Sequence, residues 1–300
     1  MRNDRVAAVV VTYNRLPLLQ KCIEKLEGQT EPCDILVVNN ASTDGTAEWL
    51  AEQEKKNARL HARNTGANIG GAGGFNYGMR WAVEAGYKLL WLMDDDCLPE
   101  PDALEKLLDA DALLKGDYGW LSGMALWTDG TACKMNQQKL VKNARRRKAY
   151  INYGLLQANQ ASFVSLLLNA KTVRCVGLPI KEFFIWGDDI EYTRRIAIRE
   201  KLPSFVVEKS RVLHAMKDNN GSSIATDREE RIDRYCYAFR NEAFTYRQEG
   251  VRGICYYIAK CALNFCRILV KAPGQKAKRI IVLSGSMVRG MAFCPKIERL

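Results

Sequence analysis

Three short apolar runs, VAAVVV at residues 6–11, ILVV at 35–38 and KLLWLMD at 88–94, each stop abruptly at a polar cluster. Brief aliphatic, β-branched runs bounded by turn formers read as strands covered on both faces, the mark of a parallel sheet. Parallel neighbours need a crossover long enough for a helix. The chain supplies one: PLLQKCIEKLEGQ sets Leu18, Leu19, Cys22, Ile23 and Leu26 at helical spacing and closes on Gly28. Residues 6–38 are therefore expected to form a β-α-β unit.

The same alternation continues. NNASTDGTAEWLAEQEKK reads as a loop entering a helix, with a cap near Thr43 and Asp44. Six glycines between Gly66 and Gly78 precede an expected amphipathic helix through Trp81, Ala82 and Ala85, and KLLWLMD is the expected third strand. PDALEKLL starts another helix, with Pro101 near its first turn. GWLSGMALW, ASFVSLLLN and SFVVEKSRVLH read as further strands, and FFIWGDDIEYTRRIAIREK as an aromatic run, an acidic turn and a helix. No internal repeat or low-complexity segment occurs.

A length of 300 residues and 47% hydrophobic content suffice for a large core. The ten cysteines form no CxxC pair, so most are expected as small buried apolar residues in a reducing cytoplasm, with no zinc site. The six-residue run Val6–Val11 is too short for a signal-peptide core or a membrane span, so the domain is expected to begin almost at residue 1.

In open parallel sheets ligands collect beyond the carboxyl ends of the strands, so TYNR, NNASTDGT and DDD are expected to share one crevice. Asp94, Asp95 and Asp96 follow a buried-looking run, where like charges repel and are hard to desolvate without a cation among them. Alternate side chains could share a hard divalent ion with phosphate oxygens; a solvated acidic loop is the plainer alternative. Asp188, Asp189 and Glu191 head a helix whose next turn holds Arg194 and Arg195. They fit either an acidic first turn with i,i+4 ion pairs, or a general base whose proton affinity is tuned by Phe183, Phe184 and Trp186. His214 ends an apolar strand and fits a structural or a ligand role. The glycine loop lacks a P-loop Lys-Ser/Thr, and its glycines are expected to let backbone pass close to a nucleotide or another strand.

Taken in order, VVVTYNR, ILVVNNASTDGT, NIGGAGGFNYGMR, LMDDDCLPEPDAL, FFIWGDDIEYTRR and VLHAMK resemble the inverting glycosyltransferases of family two with the GT-A fold. The likeness covers about residues 5–220 and points to the branch containing bacterial galactofuranosyltransferases and rhamnosyltransferases. It implies an α/β, Rossmann-like, mostly parallel sheet (a nucleotide-diphospho-sugar transferase fold) with a C-terminal helical extension. The catalytic domain would be residues 1–228 and the extension residues 229–300. By resemblance, Thr12, Tyr13 and Arg15 would flank the nucleotide base, Asn39 and Asn40 stand where many relatives carry aspartates, and Asn68 would add a polar contact. Asp94 and Asp96 would hold Mn²⁺ or Mg²⁺ with His214, and Asp95 would lie by the ribose or the metal. Asp189 would be the base, with Trp186 and Asp188 on the acceptor side. Asn39 can accept a uracil N3–H only through a neutral amide oxygen, a weaker partner than a carboxylate, so UDP is favoured over dTDP only narrowly.

Residues 231–300 hold 14 Lys and Arg against 4 Asp and Glu, which is nearly all of the net charge of +11. Arg252, Lys260 and Arg267 interrupt the apolar stretches, so no uninterrupted span of about 20 apolar residues exists. Basic helices with an apolar side can lie on an anionic leaflet; packing on the catalytic core is the alternative. The expected setting is cytoplasmic, peripheral on the inner face of the cell membrane. Expected partners are a nucleotide-sugar donor and a glycan or lipid-linked acceptor, with no nucleic acid; a monomer and an oligomer are both compatible. A nucleic-acid-binding protein would not need the DDD and DDIEY acids. A nucleotide-sugar pyrophosphorylase would want an early basic glycine loop, whereas residues 12–20 offer only Arg15.

Overall fold

The computed structural model describes residues 5–300; the expected start of the domain at residue 1 lies outside the described residues. The chain opens with β1 (Val6–Thr12), α1 (Leu16–Glu27) and β2 (Asp34–Asn39), the expected β-α-β unit, and Gly28 caps α1. Next come α2 (Thr46–Lys56), β3 (Leu60–Asn64), α3 (Gly70–Glu84) and β4 (Leu89–Asp94). KLLWLMD is thus the fourth strand, because the edge strand β3 carries polar LHARN and pairs only with β2. A further correction concerns the glycines. Gly70 to Gly78 lie inside α3 rather than ahead of it, because the helix rides close on the sheet: a Cβ at Gly74 would come within 2.5 Å of Val11 Cγ1, and one at Gly78 within 2.5 Å of Val9 Cγ1. Of the two close approaches expected for these glycines, the one to a strand is present.

After β5 (Cys97–Pro99) and α4 (Ala103–Leu114) come β6 (Leu121–Leu126), β7 (Lys139–Leu140), the single turn α5 (Ala144–Arg147), β8 (Leu155–Gln160) and β9 (Leu166–Asn169). Helix α6 (Ala170–Val176), helix α7 (Asp188–Arg194) with a π-helical turn at Arg195–Arg199, and β10 (Phe205–His214) complete the sheet region. The sheet order is β3-β2-β1-β4-β9-β6-β10-β8-β7, with β5 pairing on β10. Alternating residues of β1 serve opposite faces: Val6, Ala8 and Val10 pack with α1 and α4, and Ala7, Val9 and Val11 with α3 and α7.

Strand direction sets the functional edge. β1 runs parallel to β2 and β4, with Thr12 opposite Asn39 and Val11 opposite Asp94, so the polar ends of all three strands line up. β9 is antiparallel to both β4 and β6, and β10 is parallel to β6. The end of β10, at His214, therefore falls on the same edge.

Helices α8 (Tyr235–Arg247), α9 (Gly250–Lys271) and α10 (Lys276–Ala292) pack around Phe239, Tyr257, Cys261, Ile268 and Leu283, a core that also takes in Ile224 and Ala225. A smaller cluster of Ala72, Ile180, Phe183 and Phe244 fastens these helices to the sheet region.

Candidate active site

The acidic triplet sits in the tight turn between β4 and β5. β5 folds back antiparallel onto the end of β10 with Cys97 opposite His214, and Ala215 N donates to Asp96 O at 2.9 Å. This pairing brings His214 Nε2 to 3.0 Å from Asp96 Oδ1. The other ring nitrogen faces Asn136 Oδ1 at 2.8 Å; an amide oxygen only accepts, so Nδ1 carries the proton there and Nε2 is directed at the acids. Asn136 is itself set by Ser162 Oγ at 2.9 Å and the Cys133 thiol at 2.9 Å.

Positive charge from α1 completes the cluster. Arg15 Nη1 lies 2.8 Å from Asp96 Oδ2 and 3.3 Å from Asp95 Oδ1, and Thr12 Oγ1 donates to Asp95 Oδ2 at 2.7 Å. Thr12 and Arg15, expected beside a nucleotide base, are therefore engaged with the carboxylates, while Tyr13 is exposed. Burial, then the neighbouring Asp96 charge, raises the Asp94 carboxyl to about 7. Burial raises Asp95 to about 6 against the pull of Arg15 and Thr12. Burial also opposes ionisation of Asp96, yet the His214 hydrogen bond and charge, with Arg15, hold it below the usual carboxylate range. Desolvation disfavours the His214 imidazolium, but its bond to Asp96, its contact with Cys133 and the charges of Asp96 and Asp94 prevail and raise it to about 10.

These residues fit a divalent cation. The donors are hard carboxylate oxygens and an imidazole Nε2 whose second nitrogen is already fixed, the arrangement typical of a ligating histidine. Ligand atoms of Asp96, Cys97 and His214 all lie within 4.8 Å of one another. Cys97 is the poor member, because burial and the charges of Asp96 and Asp94 raise its thiol well above the ordinary value. That leaves carboxylate oxygens and one imidazole, a predominantly oxygen set that can hold Mn²⁺ or Mg²⁺.

The second strand loop is differently arranged from the expectation. Asn39 Oδ1 accepts Ser42 N at 2.9 Å, and its buried Nδ2 has no partner among the described residues. Asn39 therefore has a donor in reserve, and the amide oxygen expected to accept a base N–H is already in use. Asn40 Nδ2 donates to Gly70 O at 3.0 Å, and Asn68 Oδ1 accepts Gly70 N at 2.9 Å, so both asparagines shape the start of α3. The Ser or Thr cap expected near Thr43 and Asp44 is not formed: the N-cap of α2 is Gly45, without a side-chain cap bond, while Asp44 Oδ2 accepts Leu16 N at 3.0 Å at the head of α1 and its Oδ1 accepts Thr46 Oγ1 at 2.5 Å.

The second acidic group enters from α7. Phe184, Trp186 and Gly187 all have positive φ, at 63°, 64° and 88°, so the segment before α7 holds a strained path. Asn241 of α8, fully buried, restrains it: its Nδ2 lies 3.1, 3.2 and 2.7 Å from the carbonyl oxygens of Phe183, Ile185 and Trp186. On the other side Phe184 O accepts Ala72 N at 3.2 Å, and a Cβ at Gly70 would come within 2.1 Å of that oxygen. The α3 loop and the α7 loop are thus locked in register. Asp188 is buried and its carboxyl is pushed well above the ordinary range by desolvation, by Asp189 and by the charge of Asp94. Asp188 thus feels the charge of a residue 94 positions earlier in the chain. Asp189 is half-buried, and burial raises it to about 6 although Ile190 N donates to its Oδ1 at 2.7 Å. The third acid, Glu191, is structural: it makes a buried two-pronged pair with Arg195, at 3.0 and 2.8 Å. Trp186 packs against Tyr235 with ring centroids 5.0 Å apart.

Sequence reasoning missed Asn136 and Asn241. Asn241 carries one sequence signal, a weak helix former in mid-helix; Asn136 lies in a stretch with no clear pattern.

A mostly parallel sheet whose edge carries three adjacent acids, a strand-end histidine and a second acidic pair has the architecture of the GT-A glycosyltransferase fold. Residues 7–113 match the model described as Glycosyl transferase family 2, and the chain is a glycosyltransferase carrying a family 2 domain. It is 28% identical over 260 residues to galactofuranosyltransferase GlfT1 of Mycolicibacterium smegmatis, covering 82% of this chain and 84% of the relative. Against dTDP-rhamnosyl transferase RfbF of Shigella flexneri it is 24% identical over 221 residues, covering 73% and 71%. Among solved structures, GalNAc-T7 with UDP, GalNAc and Mn²⁺ superimposes with a TM-score of 0.68 at 14% identity, covering 97% of this chain and 57% of that one. The mannosyltransferase PcManGT of Pyrobaculum calidifontis, in complex with GDP-Man and Mn²⁺, gives 0.59 at 15% identity, covering 97% and 76%. At these identities the solved structures bear on the fold alone, and the fold is theirs.

Proposed function

We propose that this chain is an inverting, metal-dependent hexosyltransferase that moves galactofuranose from UDP-galactofuranose to a lipid-linked or polysaccharide acceptor in cell-surface glycan synthesis such as O-antigen. A dTDP-rhamnose donor is the second choice, which the likeness to a dTDP-rhamnosyl transferase keeps open. The observation that carries the reading is the contact of His214 Nε2 with Asp96 Oδ1 at 3.0 Å, at the strand edge that also carries Asp94 and Asp95.

Mn²⁺ or Mg²⁺ held by Asp94, Asp96 and His214 would neutralise the leaving diphosphate. The rest falls to the chain. Asp189, near pKa 6 and half-exposed, is ionised at neutral pH and accepts the proton of the acceptor hydroxyl as its oxygen attacks the anomeric carbon. The new glycosidic C–O bond forms on the face opposite the leaving nucleotide oxygen, which inverts the centre. Asp188, whose carboxyl burial pushes well above the ordinary range, stands with Trp186 on the acceptor side. On the donor side, Tyr13, Asn39, Asn40, Asn68 and Asp95 form the nucleotide pocket, with Thr12 and Arg15 orienting Asp95. Residues 1–228 are the catalytic domain, and the basic helices after residue 228 hold it at the cytoplasmic face of an anionic membrane.

Incubating the protein with UDP-galactofuranose, dTDP-rhamnose, UDP-galactopyranose and GDP-mannose, each with Mn²⁺ and with chelator, and following nucleotide release tests the reading. Release from UDP-galactofuranose that needs the metal is expected. Turnover of none of the four donors, or equal turnover in chelator, would reject it.

A further inference from the structure

We infer that α9 lies flat on an anionic lipid surface through its outward face, so that α8 alone separates the membrane from the loop carrying Asp188 and Asp189. This deepens the membrane-surface part of the proposed function and rests on it.

The inner face of α9 is set by Gly253, Tyr257, Cys261, Asn264 and Ile268, spaced three or four apart against α8 and α10. The opposite face is apolar along the helix and uncovered among the described residues: Val251 is 76% exposed, Ile258 54%, Leu269 47% and Val270 80%, with Cys255 and Cys266 exposed between them. Soluble surfaces carry such residues singly, and a contiguous stripe marks an interaction surface. Charge identifies the occupant. No Asp or Glu occurs between Gly250 and Ile297, while Arg252, Arg267, Lys271 and Lys276 are exposed. The neighbouring acids Glu242, Glu249 and Asp233 are paired with Lys260, Arg194 and Lys278, so the apolar stripe lies beside unpaired basic residues of α9 and α10 among the described residues and complements anionic headgroups over acyl chains.

At 22 residues α9 is also long and apolar enough to cross a bilayer. Its neighbours exclude that orientation. A spanning α9 would send α8 and α10 to opposite sides, yet α10 returns along α8: Gly290 nests where a Cβ would come within 2.5 Å of Ala243 Cβ, and Arg247 Nη1 donates to Gly290 O at 3.1 Å. Tyr257 OH donates to Phe239 O at 3.0 Å, and Lys260 pairs with Glu242. Spanning would break the first contacts and carry the ion pair into hydrocarbon. Lying flat preserves them all.

The orientation has a catalytic consequence. α8 grips the 183–186 loop through Asn241 on one side and packs against α9 on the other. Packed helix axes lie about 8–10 Å apart, so the base loop stands roughly 10–20 Å from the headgroups. That distance suits a hydroxyl on a short glycan whose lipid stays in the bilayer.

The two exposed cysteines on the stripe allow a direct test. With Cys175, Cys236 and Cys294 changed to Ser and either Cys255 or Cys266 retained, a thiol-reactive environment-sensitive fluorophore is attached to the full chain. Depth is then read by quenchers at known positions in phosphatidylcholine–phosphatidylglycerol vesicles. At about 1.5 Å rise per residue the two sites are about 16 Å apart along the axis. Equal, shallow depths and weak binding to pure phosphatidylcholine are expected; depths differing by about 10 Å or more, or labels that stay aqueous, would overturn the inference. Without labels, Ile258→Glu with Leu269→Glu should weaken vesicle binding about tenfold or more and leave Mn²⁺-dependent nucleotide binding intact. Undiminished vesicle binding, or a dimer closed by this face in place of vesicle binding, would also overturn it. Failure of the unaltered chain to bind nucleotide would count instead against the transferase reading.

Discussion

His214 Nε2 lies 3.0 Å from Asp96 Oδ1 although the two residues are 118 apart in sequence, and the contact exists because β5 folds back onto the end of β10. Removing either partner should dismantle the cation site. Asp96→Ala and His214→Ala are each expected to weaken Mn²⁺-dependent nucleotide binding at least about tenfold, and Asn136→Ala, which frees the ring to turn, by about 10–100-fold in metal affinity. Calorimetric titration of Mn²⁺ in the presence of UDP measures this. Unchanged metal affinity in Asp96→Ala would remove the acidic triplet from the mechanism.

The acids on α7 separate by role. Asp189→Asn should bind donor within about twofold of the unaltered chain while turnover falls by about 10²–10⁴. The rate should also depend on pH in one direction. A base acts only when ionised, so with Asp189 raised to about 6 the activity is lost as pH falls through about 6 and is level above it. A pH–rate profile for donor and acceptor turnover checks both statements, and a flat acid limb would reject Asp189.

Asn241 is a positioning residue, and its substitution should show it. Asn241→Ala leaves the carbonyls of Phe183, Ile185 and Trp186 without their donor and releases three positive-φ residues. The expected result is a fall in kcat, with the donor KM moving little, and partial rescue by Asn241→Gln. Equal loss of kcat and donor binding would mean that the clamp supports only the fold.

Glu191 should matter for stability and not for chemistry. Its pair with Arg195 is almost fully buried, so Glu191→Gln strands a guanidinium charge and is expected to cost about 3–5 kcal/mol in denaturant unfolding. Replacing both residues with methionine should cost much less, because no buried charge remains.

Packing of α3 on the sheet gives a steric prediction. Gly78→Ala places a methyl within 2.5 Å of Val9 Cγ1 and 2.9 Å of Val38 Cγ2, and should destabilise by about 1–3 kcal/mol. Thermal unfolding of the purified variant measures it.

β1, β2 and β4 were legible because strands buried on both faces carry unbroken aliphatic runs, and their polar ends marked one edge of the sheet; β10 showed itself by the apolar stretches at its two ends. β3 escaped because an edge strand tolerates polar residues, and LHARN has little of the pattern. The glycine segment was misread because glycine disfavours helix by about 1 kcal/mol per residue; only the close approach to Val9 and Val11 shows why a helix carries so many. Asp94, Asp96 and Asp189 stood out as residue types in position, and His214 only through the family resemblance. Their proton affinities did not, because these depend on burial and on neighbours distant in the chain.

From sequence alone follow the alternation of strand and helix, the edge at which the chemistry collects, and the excess of positive charge at the carboxyl end, since periodicity and composition act locally. Only tertiary structure decided that His214 meets Asp96 through a returning strand, that Asn241 in the basic helices governs the loop before Asp188, and that α9 keeps an apolar face to the outside. Each of these depends on which surfaces meet, and that is set by the packing of whole elements against one another.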